Sequence, residues 1–162
     1  MEKITTNLWF DTEAEEAVTF YTSVFKNSRI GKISRYGKEG FEFHKQTEGT
    51  AMIVEFELEG RSFTALNAGP NFKFNEAISF IIHCETQAEL DYYWDKLSEG
   101  GDLNAQQCGW LKDKYGLSWQ VIPQALATLM SSSDREKSQK VMNALLAMKK
   151  IIIQDLENAF NS

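Results

Sequence analysis

Two short stretches that repeat each other decide the fold, DTEAE at Asp11–Glu15 and ETQAE at Glu85–Glu89. Each stretch follows an apolar run with strand character and precedes a run with helical periodicity. Phe20 in the first copy aligns with Trp94 in the second. Around both copies the residues predict one strand, one helix and then about three strands. A repeat of this length predicts two copies of one structural unit.

We therefore predict an α+β fold built from two βαβββ modules. The modules form a single domain over residues 1–123 and cover about residues 1–70 and 71–123. A C-terminal helical extension follows over residues 124–162. Two such modules would curl their sheets around a shared concavity that shields a small ligand from water.

Three helices are predicted from their start signals and apolar spacing. Thr12–Glu15 and Thr86–Glu89 have the pattern of a capping box, in which a hydroxyl and a carboxylate satisfy the first helical amides. The second helix should stop at Gly100. A third, predicted over Ser133–Ile153, places four apolar residues on one stripe: Val141, Leu145, Met148 and Ile152.

β-branched and aromatic runs predict seven strands, separated by polar loops. Glu59-Gly60-Arg61 predicts a tight hairpin between the third and fourth strands. The predicted strands are residues 4–10, 28–36, 51–59, 62–67, 77–84, about 102–112 and 117–122.

Composition excludes several classes of function. The chain has 162 residues, 17 basic and 23 acidic, and a net charge of −6, so there is no basic surplus for tracking nucleic-acid phosphates. No run approaches the length that crosses a bilayer, and the N-terminus lacks a secretion signal. We expect a cytoplasmic protein with reduced thiols, without nucleic-acid or membrane partners.

The supply of metal ligands is small. The chain has two histidines, His44 and His83, and two cysteines, Cys84 and Cys108, without zinc-type spacing. A domain of this length buries enough surface to fold without a metal or a disulfide. No histidine and aspartate are spaced in the sequence as catalytic partners of Cys108. We therefore interpret Cys108 as a small buried hydrophobic residue instead of a nucleophile.

The stretch CGWLKDKYGLSWQVIP at residues 108–123 resembles the signature of the PhnB-like proteins, often labelled 3-demethylubiquinone-9 3-methyltransferase-like. These belong to the vicinal-oxygen-chelate superfamily of glyoxalases, bleomycin-resistance proteins and dioxygenases. Residues 10–25, 77–101 and 141–156 add to the resemblance. It implies paired βαβββ modules and frequent homodimers, and the C-terminal helix could cross to a second subunit.

In enzymes of that superfamily, the resemblance implies a divalent metal held by the first, fourth, fifth and eighth strands. Transferred to this chain, those positions fall at Thr6 or Asn7, at Ala65 or Leu66, at Ser79 and at Gln120. An aliphatic residue, hydroxyls and an amide lack the imidazole or carboxylate that such ions require. We predict that the metal site is absent and that no cofactor is bound.

Methyl transfer from S-adenosylmethionine is not favoured. Its commonest enzymes place a glycine-rich turn between the first strand and a helix. Here that turn is Asp11–Glu15, which is acidic and free of glycine, and Gly100 ends a helix instead of starting one.

Six residues are therefore candidates for binding a small organic ligand. Their alternatives stay open: His83 could be a hydrogen-bonded or rim histidine, and Asn67 could cap a turn. Trp110 could stack on a planar ligand, whereas Trp119 is expected to pack between strand and helix. The candidates are Thr6, Asn67, Ser79, His83, Trp110 and Gln120.

Three hypotheses for function follow, and no catalytic residue is assigned. The first is a dimeric protein that binds an uncharged or aromatic molecule without a metal. The second is a metal-dependent lyase, isomerase or dioxygenase with unusual ligands such as His83 and Gln120. The third is a protein that acts through its dimer surface without a ligand.

Overall fold

The computed structural model describes residues 3–162. The chain divides into two compact units, Met1–Phe74 and Asn75–Ser162, which are described separately. Residues 124–162 belong to the second unit.

The first unit has the predicted βαβββ order, with a short extra helix in the second strand-to-strand connection. Its strands form one sheet in the order β1-β4-β3-β2, in which β1 runs parallel to β4 and the other pairs are antiparallel. The elements are β1 (Thr6–Phe10), α1 (Ala14–Val24), β2 (Ser28–Arg35), α2 (Phe41–His44), β3 (Ala51–Leu58) and β4 (Arg61–Asn67).

Helix α1 covers one face of this sheet. Its inward stripe is fully buried at Ala17, Val18 and Tyr21. Alternate residues of β3 and β4 pack against this stripe. Among them are Val54 and Ala65, which are paired in register and inaccessible to solvent. The helical period of 3.6 and the strand period of two thus place the apolar side chains of α1 and of the sheet in one buried layer.

Helix α1 does not begin with the predicted capping box. Glu13 is the N-cap residue and its side chain makes no capping hydrogen bond. Instead, the backbone N–H of Ala14 donates to Oδ1 of Asn67 across 2.8 Å. The cap comes from the end of β4, 53 residues away.

The predicted β3-β4 hairpin is confirmed. Glu59 and Gly60 are its two loop residues and both have positive φ, 47° and 76°. Two consecutive left-handed residues give the turn whose twist matches the strands, and glycine takes one of them without strain.

The second unit has three strands in the order β5-β7-β6, with β5 parallel and β6 antiparallel to β7. A 3₁₀ turn, Leu103–Ala105, precedes β6. The other elements are β5 (Phe80–Cys84), α3 (Gln87–Ser98), β6 (Trp110–Lys112), β7 (Ser118–Pro123), α4 (Ala125–Met130), α5 (Arg135–Leu146) and α6 (Ile153–Asn161).

The predicted strand over residues 102–112 is wrong except at its end. Asp102 accepts a hydrogen bond from the backbone N–H of Asn104, which closes the 3₁₀ turn instead of an extended strand. Thr86, by contrast, caps α3 as predicted, since its hydroxyl accepts from the N–H of Glu89. Within the described residues, the second unit therefore begins with the order βαββ, which α4, α5 and α6 follow.

The predicted tail helix over Ser133–Ile153 starts correctly but ends too late. Asp134 caps α5, and the helix stops at Leu146. The chain then runs without helix to Ile152, where the carbonyls of Met148 and Lys149 accept hydrogen bonds from the backbone of the second module. Those external partners compete with the helical ones, which explains the early end of the helix.

Candidate functional site

The strands of the second unit place one row of side chains on each face of its sheet. Trp119 and Leu111 are paired in register and buried on the side of α3. Gln120 therefore points to the opposite face, which we call the open face. Its partners in register, Ile81 on β5 and Trp110 on β6, lie on the same face.

The structure joins two predicted ligand residues directly. The side-chain amide of Gln120 donates to the hydroxyl of Ser79 over 2.9 Å. Trp110 lies beside Gln120 on the next strand. Ser79, Trp110 and Gln120 thus form one contiguous group on the open face.

His83 belongs to the same face but lies two residues further along β5 than Ile81. It is exposed and pairs in register with Ile122. No hydrogen bond or ion pair of its imidazole is found among the described residues, so the geometry favours a rim position.

Two residues that the sequence analysis did not select share this face. Ser118 is 1% exposed, and within residues 3–162 its Oγ has no hydrogen-bond partner. Lys112, its partner in register, forms an ion pair with Glu76. The hydrogen bond from Lys112 lowers the pKa of the Glu76 carboxyl below its usual range. The alternation of Ser118 with Gln120 was a signal that could have identified Ser118.

In the first unit, the open face of the sheet is the one away from α1. The register of β1 against β4 does not place Thr6 on that face. Thr6 pairs with Phe63, which is buried, whereas Asn7 pairs with Thr64 on the face away from α1. The Thr64 hydroxyl donates to Oδ1 of Asn7 over 2.8 Å. The geometry therefore favours Asn7, the alternative register, as the polar group of β1.

That open face carries a cavity of about 550 Å³ between β2, β3 and β4. An ion pair between Arg29 and Glu57, 2.6 Å long, lies on its wall together with Ser62 and Thr64. Glu55 also lines it and has no ion-pair partner in the described part of the chain.

Asn67 has a structural place instead of the predicted ligand contact. It is 1% exposed, its Oδ1 accepts from Ala14, and its Nδ2 donates to the carbonyl of Ala51 over 2.9 Å. Both ends of the amide are used in joining β4 to α1 and β3. Asn67 is therefore removed from the ligand-binding set.

The donor groups do not fit a divalent ion. The open-face positions hold the amides of Asn7 and Gln120 and the hydroxyls of Thr64 and Ser79, already hydrogen-bonded in pairs. Over residues 3–162, no group of three or more His, Cys, Asp or Glu side chains could hold a metal ion. Neutral oxygen atoms alone do not supply the charge that a tightly held divalent ion needs.

Cys84 is a poor nucleophile, and Cys108 has no catalytic partner among the described residues. Burial, with the nearby Glu89 carboxylate, raises the pKa of Cys84 to about 12, so this thiol stays protonated near neutral pH. Cys108 has a positive φ of 51°, and its sulfur accepts a hydrogen bond from Gln107. Among the described residues, neither cysteine forms a hydrogen bond with a histidine.

Comparisons with known proteins agree with this architecture. The sequence model of the 3-demethylubiquinone-9 3-methyltransferase family matches residues 2–122. A solved PhnB protein from Bacillus cereus is 40% identical, with a TM-score of 0.65 over 75% of this chain and 99% of its own. A solved protein from Pseudomonas aeruginosa, 17% identical, shares the fold with a TM-score of 0.59 over 76% of this chain and 98% of its own.

No curated protein matches the chain. In the described part of the chain, every helix is too short or too polar to cross a membrane. The family match ends at residue 122, so α4, α5 and α6 lie beyond it.

Proposed function

Because the chain belongs to the 3-demethylubiquinone-9 3-methyltransferase family, which includes PhnB proteins, we propose that it binds a small uncharged or aromatic molecule without a metal. The site is the open face of the second sheet, and the fold is that of the vicinal-oxygen-chelate superfamily. The activity of the chain is unassigned. We further propose that it is a cytoplasmic homodimer.

The observation that carries this proposal is the hydrogen-bonded pair formed by Ser79 and Gln120 on the open face. The Gln120 amide donates to Ser79, which leaves Oε1 of Gln120 as an acceptor and the Ser79 proton as a donor. The Ser118 hydroxyl has no partner among the described residues, but it is inaccessible to solvent, so the ligand contacts are assigned to Ser79 and Gln120.

The charge on this face favours an uncharged ligand. Lys112 is the nearest cation in register, and Glu76 already neutralises it. Trp110 adds an aromatic surface beside the polar group. A planar molecule with a hydroxyl or carbonyl fits this combination of donors, acceptor and ring.

We do not extend the methyl-transfer activity in the family's name to this chain. The first amide of α1, at Ala14, is already bonded to Asn67, and Glu15 and Glu16 lie in the first turn. The start of α3 is capped by Thr86 and carries Glu89. Both helix N-termini are therefore occupied and acidic, which disfavours the anionic groups that such ends otherwise bind.

A nuclear magnetic resonance titration tests the proposal. The protein is labelled with ¹⁵N-tryptophan and titrated with 4-hydroxybenzyl alcohol, an uncharged aromatic probe with hydroxyl groups. The indole signal of Trp110 should shift with a dissociation constant below about 10 mM, as expected for a small fragment in a formed site. The signals of buried Trp94 and Trp119 should move less.

Two further samples complete this test. In Gln120→Leu the binding should weaken about three- to tenfold, the loss of one good hydrogen bond. His83→Leu, at the rim, should bind nearly as the original chain does. Equal shifts of all indole signals, or undiminished binding by Gln120→Leu, would contradict the site. Enzyme activity that appears on addition of nickel, zinc, manganese or iron would favour the metal-dependent alternative.

A further inference from the structure

The second module binds a non-helical part of the C-terminal extension, between α5 and α6. We define the tail segment as Leu146–Ile153 and the tail groove as the surface formed by Gln87, Asp91 and Asp95 of α3 and the turn Gln107–Gly109. This region is separate from the ligand site proposed above, and the inference does not depend on that proposal.

The groove binds the backbone of the tail segment on both sides. On the turn side, the amides of Cys108 and Gly109 donate to the carbonyls of Met148 and Lys149, each over 2.8 Å. The side chain of Gln107 also donates to the carbonyl of Leu146 over 2.7 Å. Cys108 and Gly109 both have positive φ, 51° and 85°, and this turn conformation directs their consecutive amides to consecutive carbonyls of the tail segment.

On the helix side, a single amide recognises two positions of the segment. Nε2 of Gln87 donates to the carbonyl of Ile151 over 3.1 Å, and Oε1 accepts from the N–H of Ile153 over 2.8 Å. The same Nε2 donates to Asp91, which fixes the amide orientation. Backbone contacts of this kind do not depend on the identity of the side chains, so selectivity must come from the side chains of the segment.

Two side chains of the segment supply that selectivity. Lys150 forms ion pairs with Asp91 and Asp95, 3.0 and 3.6 Å long. Ile151 is fully buried, and its Cδ1 lies 2.9 Å from the position that a β-carbon on Gly109 would take. The groove therefore reads a basic residue followed by a large aliphatic one.

Residues 124–162 contact the rest of the chain unevenly along their length. Helices α5 and α6 bury Val141, Leu145 and Leu156, whereas α4 buries none of its side chains. The loop 131–133 that leads into α5 is largely exposed. The groove residues lie inside the family match over residues 2–122 and the tail segment lies outside it.

We propose that the tail groove is a peptide-binding site whose ligand is the Lys-Ile segment of this tail, and that the tail of a second copy can occupy it in place of the chain's own. Contacts made by either tail are chemically identical, so exchange changes only the connection between receptor and ligand.

The test starts from the full chain with a cleavage site for a sequence-specific protease inserted into the loop 131–133. After cleavage, the fragment 134–162 should stay bound on gel filtration. A fluorescein-labelled synthetic peptide of residues 134–162 is then added, and its anisotropy should rise saturably as it replaces the cut tail. Because the variants are made in the peptide, the folding of the receptor does not change between samples.

Neighbouring lysines give a matched pair of peptides. Lys150→Ala should weaken binding about two- to fivefold, as for a partly exposed ion pair. Lys149→Ala should bind within about twofold of the original peptide, since only its backbone carbonyl is used. Ile151→Ala should weaken binding at least about thirtyfold, because it empties a filled apolar position.

Three results would overturn the proposal. The first is release of the cut tail from the receptor. The second is a retained tail that does not exchange with the labelled peptide during a day. The third is an equal loss of binding for the Lys149→Ala and Lys150→Ala peptides.

Discussion

The Oδ2 atom of Asp113 accepts a hydrogen bond from the indole Nε1 of Trp119 over 2.8 Å, and both residues are buried. Oδ1 of the same carboxylate accepts the backbone N–H groups of Tyr115 and Leu117. One side chain thereby closes the β6-β7 hairpin and fixes the ring of Trp119, on the sheet face opposite to Gln120. The carboxylate at position 113 therefore has a structural role, because it holds both the turn and the indole of Trp119.

The first prediction concerns that carboxylate. Asp113→Asn keeps its shape but replaces one acceptor oxygen with an NH₂ group, which leaves one of the N–H donors without a partner. We expect a loss of about 2–3 kcal/mol in the free energy of unfolding, measured by urea denaturation. Asp155→Asn, at an exposed position, should change it by less than about 0.5 kcal/mol. Equal effects would contradict the role of Asp113.

The second prediction separates steric from conformational needs for glycine. A β-carbon on Gly101 would overlap the carbonyl oxygen of Lys112, whereas a β-carbon on Gly116 would meet open space. Gly116 has a φ of 85°, so Gly116→Ala should lower the free energy of unfolding by about 1 kcal/mol. Gly101→Ala should cost at least about twice as much, because backbone must move. The opposite order in urea midpoints would contradict the close contact.

The third prediction tests the structural place of Asn67. In Asn67→Asp, one carboxylate oxygen still accepts from Ala14, but the other faces the carbonyl of Ala51. Two acceptors repel, so the variant should lose about 2–3 kcal/mol at neutral pH and regain part of it in acid, when the carboxyl is protonated. Asn143→Asp, on an exposed turn of α5, is the control. A loss that does not depend on pH would argue against this contact.

The fourth prediction is a pH dependence of the tail contact. A hydrogen bond from Gln87, followed by Lys150, lowers the pKa of Asp91 below 3.8, so its stabilisation is present above that pH and is lost as the pH falls through the lowered pKa. Asp91 in turn raises the pKa of Lys150 above 10.5, so that contribution is complete below 10.5 and is lost at higher pH.

Urea denaturation between about pH 5 and pH 2 measures the acid limb. The free energy of unfolding should fall less in Lys150→Ala than in the original chain, because the variant lacks the ion pair that acid breaks. Lys149→Ala should follow the original chain. Parallel curves for all three proteins would contradict a contribution from the ion pair.

Much of the fold follows from local patterns in the sequence. The repeat at Asp11–Glu15 and Glu85–Glu89 predicts both strand-to-helix transitions, and Glu59–Gly60 predicts a hairpin whose chemistry is complete within the turn. The alternation in β7 also predicts that Trp119 and Gln120 face opposite sides. These features depend on neighbours within a few residues.

The errors arise where a distant partner decides. Asn67 replaces Thr12 as the cap of α1, which nothing near Thr12 indicates. The tail helix ends early because backbone amides at Cys108 and Gly109 take the carbonyls of residues 148 and 149. The choice between Thr6 and Asn7 required the register of β1 against β4.

The most direct test of metal-free ligand binding is native mass spectrometry of the intact chain after gentle purification and incubation with a small-molecule extract of the expressing cells. We predict a complex of the chain with one organic molecule and no divalent ion, reduced in Gln120→Leu and retained in His83→Leu. A complex whose added mass equals a divalent metal ion, or an organic complex of equal abundance in Gln120→Leu, would contradict the account.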